Sequence, residues 1–412
     1  MRVDHSGGSV NVRTQTKNEV AVQAAIRCSA DSANQARAFC DQIQVRVEEN
    51  STGVTVRTEY PRNWRGNLSH SVNLEIQMPE TAPLELRNRF GRVTVQKLRA
   101  AATINNNNGS VLLMQGRGHR RVEKSFGSVE VTTIDGDVTV VNGNGSVRAS
   151  DISGSAEVTN RFGEVRITNV GKGLTVRGGN SKVDVEHVGD IAMVTTSFGD
   201  VRVWDAKSDV TVRNQNGRVE ANSVAGMADL QTSFAAVKFT GIGKTVRVLA
   251  QNSAVTGDTV GEAANIQTTF ANVDLRGVKG GARVTGGNAA IRMIGIGGEV
   301  YAKTSFAGVT VEDAGGAVTV ESGNGSVTVS AKAGQACRPI AIQTSFAPIR
   351  VAVPAGLGYT VSGKTSFGRI HSEHEMTVSG AIAADSISGK IAGGGCEMRL
   401  TNQNGNIDIL KR

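Results

Sequence analysis

Aromatic residues, proline and cysteine are all scarce in this 412-residue chain. Aromatics make up 4% of the residues, and there are 6 prolines and 4 cysteines. No glycine–proline triplet repeat occurs, which excludes a collagen-like polymer. The cysteines show no CxxC spacing, which excludes the common zinc and redox motifs. No run approaches the roughly 18 apolar residues of a membrane-spanning helix, so no transmembrane segment is predicted.

The charge balance excludes one class of partner. The 45 Lys and Arg residues are interleaved with 37 Asp and Glu residues, for a net charge of +8. No basic run with interleaved aromatics occurs, so we expect no nucleic-acid partner and interpret the charge as a mixed, solvated surface. No apolar segment follows Met1, so the sequence predicts no signal peptide. Cys28 and Cys40 are close enough to pair in an oxidising compartment, although two buried thiols fit the pattern equally well.

Glycine is abundant, at 50 residues, and the few phenylalanines are regularly spaced. Seven phenylalanines recur every 36 residues, and seven asparagines lie halfway between them. These landmarks are Phe90, Asn108, Phe126, Asn144, Phe162, Asn180, Phe198, Asn216, Phe234, Asn252, Phe270, Asn288, Phe306 and Asn324. A spacing of 18 residues without insertion predicts that each unit is one rung of a stacked array. It also leaves no room in the array for the long loops that build enzyme sites.

Apolar residues occupy fixed positions in each rung, counted from its Phe or Asn as position 1. Position 4 is valine or isoleucine in every rung from Val93 to Val327, and positions 6, 9 and 15 are mostly aliphatic. β-Branched residues at alternate positions are typical of short strands with one buried face. We therefore predict an all-β chain, a parallel β-solenoid (β-helix) of 18-residue rungs in 36-residue pairs. We predict a right-handed solenoid because there is no strict hexapeptide repeat.

Alternation of large and small residues bears on the phenylalanine column. Position 13 is alanine on several Asn rungs, as at Ala156 and Ala192, and larger on Phe rungs, as at Val138 and Leu174. This favours rings that are buried over smaller neighbours, in which case Phe198→Ala costs about 3–5 kcal/mol. The alternative left open is an exposed stripe with side chains about 9.6 Å apart, suited to stacking on sugar rings.

Outward position 5 alternates in charge over several rungs. The series is Arg166, Asp184, Arg202, Glu220 and Lys238. In a parallel, in-register stack these side chains are neighbours, and like charges would oppose the register. We interpret the series as register control and not as a binding patch.

Both ends depart from the period and divide one continuous body into three segments. Residues 1–89 are a solenoid start with a short helix over 31–43, near the N-terminus, and a loop excursion over 61–70. Residues 90–330 are the regular rungs. Residues 331–412 are irregular C-terminal rungs that follow an insertion.

Motifs in the first segment and in the regular rungs occur in a fixed order. They are Gly8-Ser9-Val10-Asn11-Val12, Val45-Arg46-Val47-Glu48, Val54-Thr55-Val56-Arg57-Thr58-Glu59-Tyr60-Pro61, Leu74-Glu75-Ile76-Gln77-Met78-Pro79, and the recurrent Asn-Gly-Ser-Val and Ser-Phe-Gly-Xaa-Val rungs. Together they resemble a bacterial family of adhesin-like proteins, a domain of unknown function whose members are predicted β-solenoids. The resemblance covers nearly the whole chain. It implies export or association with the cell envelope and supplies no catalytic residues.

A search for catalytic chemistry yields no candidate. His371 and His374 lie in a segment of ligand-like composition, but on a strand they face opposite sides, so no metal site is predicted. No phosphate-binding loop or nucleophile elbow occurs in the required context, so we predict no catalytic residues and no cofactor.

These observations predict a non-enzymatic, adhesin-like or structural β-solenoid. The expected partners are polysaccharides or other cell-surface and extracellular polymers. Two alternatives stay open: a carbohydrate-active β-helix enzyme, either a lyase or a hydrolase, and a bactofilin-like scaffold that self-assembles. The sequence does not decide between a monomer and end-to-end self-association.

Overall fold

The computed structural model describes residues 1–61, 67–378 and 383–412. Residues 62–66 of the predicted loop excursion lie outside the described residues. The chain divides into two compact units, Met1–Gly199 (unit 1) and Asp200–Arg412 (unit 2). Both units are built from parallel β-solenoid rungs with 18-residue spacing, which confirms the predicted fold class.

The elements of unit 1 follow in chain order. They are β1 (Arg2–His5), β2 (Val10–Gln15), β3 (Ala21–Ala30), α1 (Ala33–Cys40), β4 (Gln44–Asn50), β5 (Gly53–Glu59), β6 (Leu68–Pro79), β7 (Leu84–Phe90), β8 (Val93–Gln96), β9 (Ala102–Asn108), β10 (Val111–Arg117), β11 (Arg120–Phe126), β12 (Val129–Asp135), β13 (Val138–Asn144), β14 (Val147–Ile152), β15 (Ala156–Phe162), β16 (Val165–Val170), β17 (Leu174–Asn180), β18 (Val183–Val188) and β19 (Ala192–Phe198).

In unit 2 the elements of residues 200–378 and 383–412 are all strands. They are β20 (Val201–Ala206), β21 (Val210–Asn216), β22 (Val219–Val224), β23 (Ala228–Thr232), β24 (Val237–Ile242), β25 (Val246–Ala250), β26 (Val255–Val260), β27 (Ala264–Thr268), β28 (Val273–Val278), β29 (Ala282–Gly286), β30 (Ile291–Ile296), β31 (Val300–Thr304), β32 (Val309–Ala314), β33 (Val318–Ser322), β34 (Val327–Ala331), β35 (Ile340–Thr344), β36 (Ile349–Val353), β37 (Tyr359–Lys364), β38 (Ile370–Ser372), β39 (Met376–Val378), β40 (Ser386–Ile391), β41 (Cys396–Asn402) and β42 (Ile407–Lys411).

Each regular rung contributes one strand to each of two facing sheets. One sheet receives the strand that begins at position 4, and the other receives the strand that begins at position 13. Strands pair in parallel with the strand two places on, in a register of 18 residues, as at Val129↔Val147 and Val147↔Val165. Because the register matches the sequence period, the same inward valine column is repeated rung after rung and is fully buried.

A column of left-handed residues at position 8 explains why position 9 points inward. Strand residues alternate sides, so positions 4 and 6 alone would place position 9 outside. Ten non-glycine residues of this column have φ between 54° and 57°. They are Lys97, Gln115, Thr133, Asp151, Asn169, His187, Asp205, Ser223, Thr259 and Asp313. The bend reverses the alternation and buries the next residue, as at Ile134, Ile152 and Ile242.

At the start of unit 1 the chain order and the spatial order differ. Strand β1 pairs with both β5 and β7, and β2 pairs with both β6 and β8, so the first rung of the chain lies between two later ones. Strands β3 and β4 pair in an antiparallel manner with β6 and β5. Helix α1 is shorter than predicted and is capped by Ser32, whose hydroxyl accepts from the Gln35 amide, and not by Ser29 or Asp31. A Cys28–Cys40 disulfide joins α1 to β3.

The end of unit 2 repeats this arrangement. Strand β41 pairs with β35 and β37, and β42 pairs with β36 and β38, so the last rung of the chain is also enclosed. Strand β40 pairs with β37 in an antiparallel manner. A second disulfide, Cys337–Cys396, joins the insertion before β35 to the start of β41.

The preferred interpretation of the phenylalanine column was wrong. Phe198 is 51% exposed, and the rest of the column is exposed as well. The inward space is filled by other residues: Phe239, which is outside the 36-residue series, is completely buried. Its ring lies over Gly257, where an added Cβ would be 2.1 Å from the ring. Large residues in this core do fill the space that small residues on the next rung leave. The landmark phenylalanines are not among them, because their rings are exposed.

Candidate ligand-binding surface

A polar residue at position 17 supports most of the landmark corners, the exceptions among the regular rungs being Gly178, Ala250 and Gly286. In unit 1 the amide groups of Asn106 and Asn142 donate to the carbonyls of Gly91 and Gly145, at 3.1 and 3.2 Å. In unit 2 Thr304 donates its hydroxyl to the Ala289 carbonyl at 2.9 Å. These bonds satisfy carbonyl groups that the turn leaves without a strand partner. At this turn between two strands, which we call the corner, the backbone bends away from the core. The side chain of the landmark Phe or Asn therefore points away from the core.

All nine phenylalanines of the column and its continuation are exposed, by 48% to 78% of their surface. They are Phe90, Phe126, Phe162 and Phe198 in unit 1, and Phe234, Phe270, Phe306, Phe346 and Phe367 in unit 2. Exposed aromatic rings in a regular row are unusual, because large apolar side chains are normally buried. The row therefore marks a candidate binding surface.

Asparagine and phenylalanine alternate along this surface. In unit 1, Phe126 pairs in register with Asn108, and Phe162 pairs with both Asn144 and Asn180. The asparagines are exposed or half-buried. We call these residues, within each unit, the Phe/Asn stripe. Adjacent rungs are about 4.8 Å apart, so neighbouring rings lie about 9.6 Å apart.

The alternation in unit 2 survives a change in chain order. The backbone N–H of Asn404 donates to the Ser345 carbonyl at 2.7 Å. The backbone N–H of Asn324 donates to the Ser305 carbonyl in the same way in a regular rung, at 2.8 Å. The Phe367 amide in turn donates to the Gln403 carbonyl at 2.8 Å. The spatial order is therefore Phe346, Asn404, Phe367, although the asparagine comes last in the chain.

The unit 2 stripe is flanked by hydroxyl and small residues. The residue before each phenylalanine is a serine or threonine: Ser233, Thr269, Ser305, Ser345 and Ser366. The two residues after each of the first four phenylalanines are uncharged: Ala235 and Ala236, Ala271 and Asn272, Ala307 and Gly308, and Ala347 and Pro348. From Ser233 to Pro348 the corners thus offer rings, amides and hydroxyls without a formal charge, between Arg218 on one side and Arg369 on the other.

The unit 1 stripe has a different corner. Glycine follows each phenylalanine, with φ between 112° and 116° at Gly91, Gly127, Gly163 and Gly199. Unit 2 has alanine at the first four equivalent places, which avoids that region of φ. The odd-numbered strands β7 to β19 of unit 1 accordingly extend to the landmark residue, whereas the odd-numbered strands β23 to β35 of unit 2 end two residues before it. Unit 1 also carries charge at the stripe, since the Arg89 guanidinium lies 5.3 Å from the centre of the Phe90 ring.

Two cations are buried in unit 1 away from the surface. Burial lowers the pKa of Lys124 to about 8, and its ammonium donates to the carbonyls of Gly109 and Phe126. Burial lowers the pKa of Arg120 to about 10. The Arg120 side chain fills the place that Gly116 leaves empty at position 9, where a Cβ would lie 2.2 Å from the guanidinium. Arg120 thus replaces a missing part of the core, whereas the Lys124 ammonium takes the place of the side-chain amide that other rungs have at position 17, as at Asn160.

A cluster of charged and aromatic side chains in unit 2 is paired within itself. The Arg283 guanidinium lies 3.9 Å from the centre of the Tyr301 ring, in an open groove of about 470 Å³. The Tyr301 hydroxyl donates to the Glu321 carboxylate at 3.2 Å, and Lys303 donates to it at 2.8 Å. The bond from Lys303 lowers the pKa of Glu321, which opposes the protonated state that a general acid requires.

The predicted histidine segment does not assemble a metal site. His371 is exposed on β38, while His374 is buried beyond the end of that strand, with Nε2 3.0 Å from the Leu410 carbonyl oxygen. No group of three or more His, Cys, Asp or Glu side chains suited to a metal occurs among residues 1–61, 67–378 and 383–412. Over the same ranges no helix is long and apolar enough to cross a membrane.

Comparison with known proteins gives one weak similarity. No family model matches the chain, and no curated protein matches it. A solved "putative cell adhesion protein" from Clostridium sporogenes is similar over 100% of this chain and 92% of its own, at 10% identity and a TM-score of 0.15. A TM-score this low carries no argument about fold or function. The fold therefore rests on the strand pairing and burial described above.

Proposed function

We propose that this protein is an exported, adhesin-like β-solenoid that binds an extracellular polysaccharide along the Phe/Asn stripe. The observation that carries the proposal is the row of exposed phenylalanines. Burial of an exposed phenylalanine gains about 1.5–3 kcal/mol, so a row of rings kept in water suggests a surface that a ligand covers. A repeating polymer can contact every member of such a row in the same way.

The chemistry of the stripe favours sugars over other polymers. The apolar faces of sugar rings stack on aromatic side chains, and sugar hydroxyls pair with amides and with serine or threonine hydroxyls. Nucleic acid requires a basic groove to neutralise phosphates, and the unit 2 stripe has no charge over its first four phenylalanines. A polysaccharide satisfies both the rings and the neutral polar groups.

The disulfides support a location outside the reducing cytosol. Both pairs, Cys28–Cys40 and Cys337–Cys396, join an irregular segment to a strand near a chain end. Disulfides of this structural kind form and persist in oxidising compartments. We accordingly propose an exported or cell-envelope protein.

We propose a binding role without catalysis. The regular rungs carry no loops that would form a cleft, and the Glu321 cluster is paired internally. The enzyme and self-assembly alternatives are outcomes that the following experiment can detect.

The test is a pulldown of the oxidised full-length protein with insoluble polysaccharides, including cellulose, chitin and purified bacterial cell wall. We expect Phe234→Ala/Phe270→Ala/Phe306→Ala to weaken binding about tenfold or more, a loss of about 1.4 kcal/mol. The control is Trp204→Ala/Met227→Ala, which removes exposed apolar side chains outside the stripe. Equal binding by the triple variant and the wild type would contradict the proposal. Release of soluble sugar would reveal an enzyme, and light scattering would reveal a filament.

A further inference from the structure

We infer that the unit 2 stripe binds an uncharged, extended β-1,4-linked polysaccharide in register, with one phenylalanine for every two sugar residues. This inference rests on the proposed function and names the class of polysaccharide. It is carried by the spacing of the rings, the permuted rung at the end of unit 2 and the neutrality of the stripe.

The spacing of the rings matches a two-sugar repeat. Phenylalanines on every second rung are about 9.6 Å apart. In an extended β-1,4-linked chain each sugar is turned over relative to the one before, so the chain presents the same face again after two sugars, at nearly this distance. Each ring can then meet an equivalent sugar face. The asparagine between two rings lies beside the intervening sugar, where its amide can both donate to and accept from a hydroxyl.

The end of unit 2 shows that the alternation of rings and asparagines is not simply a consequence of sequence duplication. From Phe306 onward the phenylalanine spacing in the chain changes from 36 to 40 and then to 21 residues. An inserted strand pair, β41 and β42, nevertheless places Asn404 between Phe346 and Phe367. Duplication of a 36-residue unit does not produce this placement. From Phe234 to Phe367 the rungs share this alternation in space even where the chain order changes, as a ligand in register would require.

The neutrality of the stripe selects among extended polymers. A chain of uronic acids or a phosphate-linked polymer carries a charge at every repeat and would need cations beside it. The corners from Ser233 to Pro348 supply none. Serine or threonine before each ring and asparagine on alternate rungs supply uncharged partners in their place. A neutral glucan or N-acetylglucosamine polymer fits this set of groups.

The test exchanges a ring with its neighbouring asparagine. The variant Asn288→Phe/Phe306→Asn keeps the composition but puts two rings on adjacent rungs and leaves a gap before Phe346. Affinity is measured by calorimetry against cello- and chito-oligosaccharides of four, six and eight sugars, with malto-oligosaccharides of equal length as the α-linked comparison. Circular dichroism melting verifies that the variant is folded.

We expect wild-type affinity for the β-linked series to rise with each added pair of sugars, and the exchange to weaken binding of the octamer about tenfold. Octamer binding that survives the exchange, or equal binding of the α-linked series, would overturn the inference and leave polysaccharide binding intact. If the wild type binds neither these oligosaccharides nor any insoluble polysaccharide, the proposed function fails as well.

Discussion

The buried ring of Phe239 gives the sharpest test of the core. Its neighbours on the adjacent strands are Ala221 and Gly257, and the ring occupies the space over the glycine. Elsewhere in unit 2 the same column is filled evenly, as at Val311↔Val329. The perturbation is therefore Phe239→Val, Gly257→Val and the two together, which converts an uneven pair into the even one.

The two single changes act in opposite ways. Phe239→Val leaves a cavity and should cost about 2–4 kcal/mol, somewhat less than the about 3–5 kcal/mol of a Phe→Ala change. Gly257→Val forces a side chain into the ring and should cost about 1–3 kcal/mol. In the double variant each change relieves the other. We expect it to lie within about 2 kcal/mol of the wild type, with a coupling of about 2–3 kcal/mol.

The assay is urea unfolding of the wild type, the two single variants and the double variant, monitored by circular dichroism. Calorimetry provides an independent measurement of stability. Unfolding slopes that agree among the variants make the free energies comparable. Costs that simply add in the double variant would refute the reasoning, because they would mean that the ring and the glycine do not share one space.

Three further predictions follow from the same structure. Phe270→Ala should change the free energy of unfolding by less than about 0.5 kcal/mol, because the ring is exposed; a loss of several kcal/mol would show that the ring is buried. Burial lowers the pKa of Lys124 to about 8 from a usual 10.5, so between these pH values the unfolded chain holds more protons and stability should rise with pH. The variant Lys124→Asn restores the asparagine that the neighbouring rungs have at this position, Asn106 and Asn142. It should stabilise the protein at pH 7 and flatten that rise in unfolding curves measured over a pH series. Removal of the Cys337–Cys396 disulfide, whose cysteines are 59 residues apart, should cost about 4 kcal/mol of stability, and removal of Cys28–Cys40, whose cysteines are 12 residues apart, should cost about 3 kcal/mol. Calorimetry of Cys→Ser variants measures both losses, and the reverse order would contradict this ranking.

Much of the fold follows from the sequence because the register equals the sequence period. Val93, Val111 and Val129 lie 18 residues apart and stack directly on one another. A parallel stack with a constant period has one register that keeps every valine inside, so strand pairing could be deduced without any long-range information. The inward third contact at position 9 could be predicted because that position is mostly aliphatic, as at Leu98, Ile134 and Ile152.

The direction of the phenylalanine rings could not be predicted in this way. Alternation holds within a strand but is reset at each corner, and each phenylalanine lies at a corner, as Phe126 does between β11 and β12. Counting back from the inward valine at position 4 places the ring outside, whereas counting on from inward position 15 places it inside, so alternation alone does not decide the direction. A signal was present in unit 1 in the glycine after each ring, since Gly91, Gly127, Gly163 and Gly199 have φ between 112° and 116° and mark the corner there.

The enclosed rungs at the starts and ends of the described strands, β1 with β2 and β41 with β42, were not predicted from the sequence either. They determine when during synthesis these strands can pair. Strands β1 and β2, in residues 2–15, are synthesised before all of their strand partners, which lie in residues 53–96, so they must wait for later sequence before they can pair. At the other end, residues 396–411 enter between strands made before them. A chain that lacks residues 396–411 would lose a rung enclosed by others and not merely an outer one. Folding around each enclosed rung is thereby coupled to synthesis of a long stretch of chain, and a partly made chain cannot close these parts of the stack.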